Sequence, residues 1–199
     1  MQAILEFDKA VFIFFENYLW SPLADTIMTF ITKLGDGGII WILLGLFLLF
    51  FKKYRKYGFM AIVGPLCSLV INDYILKPLI NRPRPFNLDL DFWKAFYTYP
   101  NLVAKPSSVS FPSGHTSSSF AAATALIISR KKRIWIPSLV LAFLIAFSRI
   151  YVHVHYCTDV LAGFVVGVIY GLLAYLIIEK LAIPLIEKLK ERTKKSKTT

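Results

Sequence analysis

Residues 134–178 read IWIPSLVLAFLIAFSRIYVHVHYCTDVLAGFVVGVIYGLLAYLII. Two uncharged runs, Ile134–Ser148 and Val160–Ile178, flank one short polar turn. Such runs suit a membrane, because about 20 apolar residues in a helix cross roughly 30 Å of hydrocarbon. The turn opens on Arg149 and carries His153, His155 and Asp159. An ionisable group at membrane depth is costly, so Arg149 reads as functional. His155 and Asp159 are four apart and share a face if the segment is helical. A carboxylate on one imidazole nitrogen fixes the tautomer and strengthens the other nitrogen as nucleophile or base.

The same pattern extends outward. Leu34–Phe51 carries one charge, Asp36; Gly58–Leu76 carries one, Asp73; Ser113–Ser129 carries none with His115 neutral. The chain is 56% hydrophobic with a mean hydropathy of +0.59. The shorter runs reach across by helical extension or by snorkelling of flanking Lys and Arg. Five spans are expected from Leu34 onward. Before them, residues 10–32 are apolar but hold Glu16, Asn17, Pro22 and Asp25. This segment reads either as a sixth span or as an interfacial helix over 2–19 followed by a short membrane helix. It is a poor signal peptide, with no basic n-region and no clear cleavage site. The expectation is an all-α membrane protein, a bundle of about six transmembrane helices forming one domain over 1–199. Its N-terminal helix lies in 1–33, its extracytoplasmic loop in 77–112 and its basic cytoplasmic tail in 180–199.

The net charge of +11 does not point to nucleic acid. Of the 23 basic residues, 15 fall in three clusters, at 52–56, at 130–133 and in the tail from Lys180. With five spans after Leu34, all three clusters lie on one side, which the positive-inside rule makes cytoplasmic. The tail is expected to set topology rather than to hold anionic lipid. Cys67 and Cys157 have no metal-type spacing, and a disulfide between them is not expected.

The loop 77–112 holds prolines at 78, 83, 85, 100, 106 and 112, too many for a continuous helix. Its aromatics, Phe86, Phe92, Trp93, Phe96, Tyr97 and Tyr99, suit the headgroup level. Leu88–Tyr99 reads as a short interfacial helix capping the site or as a plain aromatic anchor. On this topology, the loop and the turn 149–158 both face outside.

Three motifs therefore share one face. KPLINRPRP (77–85) supplies Lys77, Arg82 and Arg84; PSGH (112–115) supplies His115; the turn supplies Arg149, His155 and Asp159. Cations in this number suit a phosphate. Ser113 reads as an N-cap and Gly114 as a first-turn residue, so free backbone N–H groups there suit an anion. Asp73 lies one helical turn before Lys77 and reads as its partner. Arg82 reads as facing solvent or lipid. His153 would point elsewhere on a helix and reads as structural or as substrate rim. A metal held by His153, His155 and Asp159 is possible on ligand type, but the surrounding cations oppose it.

Lys77 with Arg84-Pro85 fits K-x6-R-P, Pro112–His115 fits P-S-G-H, and Ser148–Asp159 fits S-R-x5-H-x3-D. In order and spacing the chain resembles the type 2 phosphatidic acid phosphatase superfamily, which also includes the vanadium haloperoxidases. The resemblance implies a metal-independent lipid phosphatase without cofactor. By it, His155 attacks phosphorus, Asp159 orients it, and His115 protonates the leaving oxygen. Lys77, Arg84, Ser113, Gly114 and Arg149 would bind the phosphate. The expected partners are a lipid phosphate and membrane lipids, at the extracytoplasmic face of the cell membrane. Undecaprenyl diphosphate leads the substrates, ahead of phosphatidylglycerol phosphate and phosphatidic acid, by analogy only. Two readings from other classes stand beside it: a vanadate-holding oxidant, and a phospholipid-binding or transport protein without catalysis.

Overall fold

The computed structural model describes residues 2–88 and 102–196, and every regular element among them is helical. The long helices are α1 (Gln2–Tyr18), α2 (Pro22–Leu34), α3 (Ile39–Leu49) and α4 (Arg55–Ile71). A wider turn at Asn72–Leu76 carries α4 into the short α5 (Lys77–Ile80). There follow α6 (Gly114–Ile127), α7 (Lys132–Tyr151), α8 (Cys157–Leu176) and α9 (Ile183–Ser196).

Helix α6 forms the axis, packed by α4, α7 and α8, and Thr116–Leu126 are buried without a gap. Its small residues, TSSSFAAATA, are what allow three neighbours to approach. On α8, Gly163, Gly167 and Gly171 recur every four residues and face it. A Cβ on Gly167 would lie 2.7 Å from the Ser117 carbonyl oxygen, and one on Gly171 2.7 Å from that of Ala121. The small-residue packing therefore operates within the chain.

The opposite face of α8 carries Leu161, Val165, Ile169, Leu172 and Leu176, each about half exposed. Apolar side chains point out and glycines point in, the reverse of an amphipathic helix in water. Arg55–Asn87, Lys132–Tyr151 and Cys157–Glu191 are helical stretches long and apolar enough to cross a membrane. The pair Pro22–Leu34 and Asp36–Leu49, bent by 44°, makes a fourth if it counts as one span. By length and composition, the described residues thus hold three helices able to cross a membrane, or four with the bent pair, and the expected count of six is not reached by this measure.

A single helix over 10–32 does not form. Ser21 is extended and caps α2 by accepting from the Ala24 N–H at 3.2 Å, and Pro22 follows without a donor of its own. The two ends of α2 meet residues only two apart on α7. Tyr151 Oη donates to Asp25 Oδ1 at 2.7 Å, and Arg149 Nη1 donates to Thr32 Oγ1 at 2.6 Å. So α2 crosses the end of α7 rather than running its length. Gly37 and Gly38, both at positive φ, then turn the chain into α3.

The basic loops gather at the other end of the bundle. Lys56 Nζ pairs with Glu179 at 3.1 Å, joining the 52–56 loop to the start of the tail. Leu126, Tyr54, Ile134 and Trp135 pack in one cluster there, bringing in the 130–133 loop. Both cysteines are free. Apart from Leu88, the interfacial helix expected over Leu88–Tyr99 lies outside the described residues.

Candidate active site

Four segments converge where α4, α6, α7 and α8 begin or end away from the basic loops. The turn after α7 puts His155 at the centre, and its side chain is buried. Asp159 stands in the first turn of α8, fully buried, and accepts from the Tyr156 N–H at 3.0 Å, so it caps the helix that carries it. Asp159 Oδ2 is 3.5 Å from His155 Nδ1, longer than an ordinary hydrogen bond. Ser110 stands beside both. Its hydroxyl is 3.4 Å from Nδ1 and donates to the same Oδ2 in a short bond. His155 and Asp159 are thus neighbours, with a serine hydroxyl alongside them.

The other imidazole nitrogen faces cations. Arg84 Nη1 lies 3.3 Å from His155 Nε2 and donates to the Val154 carbonyl at 2.7 Å. Arg84 Nε donates to the Ser108 carbonyl at 2.5 Å, and Nη2 to the Ser108 hydroxyl at 3.1 Å. Arg149 is buried with Nη1 on Thr32, and among the described residues its Nε has no partner. Its field reaches His115, His155 and Arg84, which places all four groups in one electrostatic cluster. Burial holds the His155 imidazole far below its ordinary value, at about 3; Arg149 and Arg84 push the same way and Asp159 opposes them. The ring is therefore neutral at ordinary pH, with one nitrogen free of a proton.

His115 opens α6. Ser113 caps that helix as expected: its Oγ accepts from the Thr116 N–H at 3.5 Å and from Thr116 Oγ1 at 2.9 Å. The Ser113 N–H itself is taken by the Asp159 carbonyl at 3.1 Å. That leaves the Gly114 and His115 N–H groups as the donors without intrahelical partners. A side chain on Gly114 would meet nothing within 4 Å, so the approach to those N–H groups is open. Lys77, Gly114 and His115 line one cleft together, floored by Asn72 and Ser118. Lys77 Nζ pairs with Asp73 Oδ1 at 2.5 Å, as its spacing predicts.

Reading the sequence alone missed the holders of these groups. Asp36, in the bend before α3, lies 2.8 Å from His115 Nε2, and Gly35 packs so closely on that ring that a Cβ would sit 2.7 Å from it. Arg82 does not face solvent or lipid. It donates to Asp159 Oδ1 and to Asp8 Oδ2, at 2.7 Å each, with its guanidinium 3.9 Å over the Tyr156 ring. The signal for Asp36 was its standing as the single charge of an apolar run, whereas Asp8, between Glu6 and Lys9, stood out less. His153 turns the other way, with positive φ and its ring 4.4 Å from Trp20 and 4.9 Å from Phe12. It thus belongs to the aromatic core, and the trio His153, His155 and Asp159 does not converge on one point.

These features can bind a phosphate: Lys77, Gly114 and His115 line one cleft, and the neutral, oriented His155 shares the field of Arg84 and Arg149 with His115. The PAP2 superfamily model matches residues 53–183. An undecaprenyl-diphosphatase from Sulfolobus acidocaldarius is 32% identical over 76% of this chain and 69% of its own length. A lipid A 4'-phosphatase from Porphyromonas gingivalis is 33% identical, over 88% of this chain and 74% of its own. The crystal structure of a transmembrane PAP2-type phosphatidylglycerolphosphate phosphatase from Bacillus subtilis superposes with a TM-score of 0.69. It is 26% identical, covering 91% of this chain and 89% of that one. Motifs, fold and relatives coincide, and the chain belongs to the PAP2 superfamily of membrane lipid phosphatases.

Proposed function

We propose that this phosphatase hydrolyses the terminal phosphate of a lipid diphosphate at the extracytoplasmic membrane surface, with undecaprenyl diphosphate as the leading substrate. The observation that carries the mechanism is the two-sided environment of His155: Ser110 and Asp159 on Nδ1, Arg84 on Nε2. A proton on Nδ1 leaves the Nε2 lone pair directed at the place where cations would hold a phosphate. His155 Nε2 attacks phosphorus, a P–N bond forms, and the bond to the leaving oxygen breaks. His115 gives that oxygen its proton. A water then attacks the phosphohistidine, His115 takes its proton, and inorganic phosphate leaves with His155 restored. Lys77, Arg84, Arg149 and the N–H groups of the first turn of α6 stabilise charge on the equatorial oxygens. Ser113 contributes as the cap that presents those N–H groups, and Gly114 by leaving them open. No step calls on a metal or cofactor.

The outward orientation is supported by the basic loops at the opposite end of the bundle. The undecaprenyl reading is supported by the Sulfolobus relative's name, while the other relatives' names supply the competing substrates. The test is phosphate release by purified protein in detergent with EDTA. Undecaprenyl diphosphate, phosphatidylglycerol phosphate and a lipid A 4'-phosphate are offered side by side, with labelled phosphoenzyme trapped by a denaturing alkaline quench. Fastest turnover on the diphosphate with an acid-labile adduct is expected. Turnover that survives His155→Ala, or that EDTA abolishes, overturns the mechanism; a faster monoester overturns the substrate.

A further inference from the structure

The N-terminal helix lies outside the region matched to the family, yet it delivers a buried carboxylate to the site. Asp8 on α1 is fully buried. It accepts from the Thr158 N–H at 2.9 Å, from Thr158 Oγ1 at 2.7 Å and from Arg82 Nη2 at 2.7 Å. Arg82 spends its other arm on Asp159 Oδ1, and that same Nη1 also donates to Thr158 Oγ1 at 2.7 Å. The Arg82 carbonyl accepts from the Ser110 N–H at 2.8 Å, and the Ser110 hydroxyl donates to Asp159. Two buried carboxylates thus share one guanidinium, and the second of them carries the nucleophile. A lone buried charge is strongly disfavoured, so each member specifies where the others sit. The fork geometry of arginine makes the arrangement directional, which lysine cannot reproduce.

We infer that Asp8, Arg82 and Asp159 form a clamp through which the N-terminal helix positions the nucleophilic histidine and sets its readiness to react. Asp8 and Arg82 are positioning residues; neither touches the place where phosphate would sit. Their action is electrostatic as well as mechanical. The charged and titratable groups facing His155 are Arg84 from the loop, Arg149 from α7 and Asp159 from α8. Those facing the clamp are Tyr156, under the guanidinium, and Cys157, which lies within the field of both carboxylates. Against that background, removing the Asp8 charge leaves Arg82 less neutralised and makes it harder to protonate His155. Removing the Arg82 charge leaves two bare carboxylates and makes His155 hold a proton to higher pH.

The inference rests on His155 as nucleophile, and the experiment separates the two. Steady-state kinetics in detergent compare wild type with Asp8→Asn, Arg82→Gln and Arg82→Lys, with His155→Ala alongside. The expected losses are in kcat, about tenfold for Asp8→Asn and about 100-fold for Arg82→Gln, the range for outer partners of a working histidine. KM stays within about twofold, because the clamp does not contact substrate. The acidic limb of kcat/KM orders as Asp8→Asn lowest, wild type between and Arg82→Gln highest. Substrate ionisation is common to all variants and drops out of the order. Arg82→Lys keeps the charge without the fork, so kcat falls while the limb stays. A KM effect without a kcat effect, coincident limbs or the reverse order overturns the clamp. If Arg82→Gln does not fold, Asp8→Asn and Arg82→Lys still decide, since unchanged kcat in both overturns it. Surviving turnover in His155→Ala overturns the nucleophile assignment instead.

Discussion

Residues 53–183 and residues 2–38 divide the site between them in an instructive way. The first region matches the family and contains every residue of the three motifs. The second contains none of them, yet it supplies partners to three site groups. Asp8 holds Arg82, Thr32 holds Arg149, and Asp36 holds His115. The matched region thus carries the motif groups, and the N-terminal helices carry the groups that hold them. Cations and imidazoles bunched together need partners that hold their geometry, and short acids and hydroxyls on an added layer provide them.

Mutations on the two sides should differ in size, and the comparison breaks if they do not. The largest loss belongs to the core: His155→Ala should reduce turnover at least 10⁴-fold and abolish the trapped phosphoenzyme, as removal of a covalent nucleophile does. Arg84→Ala should follow, with about 10²- to 10³-fold lower kcat, the worth of one preorganised donor to developing charge. In the outer layer, Asp36→Asn should lower kcat about 30-fold with KM little changed, because a charge-assisted hydrogen bond contributes about 2 kcal/mol. A loss rivalling that of Arg84→Ala would move Asp36 from holder to participant. Thr32→Val should be mildest, about fivefold in kcat/KM, matching one ordinary hydrogen bond of about 1 kcal/mol. An Arg149 that tolerates Thr32→Val without loss would show that its neighbours in the core already fix it.

The same division explains what the sequence made legible. Motif residues announce themselves because each cluster is short, and its spacing is imposed by one helix end. His155 lies just before the cap of α8 and Asp159 in its first turn, and Ser113 precedes the helix it caps. The holders sit far away along the chain, Asp8 some 150 residues from Thr158 and Asp36 79 from His115, so no local period betrays them. Arg82 was misplaced for the same reason, since its partners come from opposite ends of the sequence. The break at Ser21-Pro22 was readable from cap chemistry, but hydropathy averaged across it and favoured one long span. Ser110, beside His155 and Asp159, follows from loop geometry that no spacing encodes.

The glycines of α8 have a consequence for the reaction coordinate itself. His155 precedes α8 and His115 opens α6, and these two helices touch backbone to backbone along Gly163, Gly167 and Gly171. Their first turns are tied again by the Ser113 N–H on the Asp159 carbonyl. Sliding one helix past the other by a single tooth of that rack, four residues, would displace a histidine by about 6 Å. The span between the two imidazoles is therefore gauged by main chain and not by pliant side chains. Substitutions around the mouth of the cleft can then change which lipid enters while the separation of the two imidazoles stays the same.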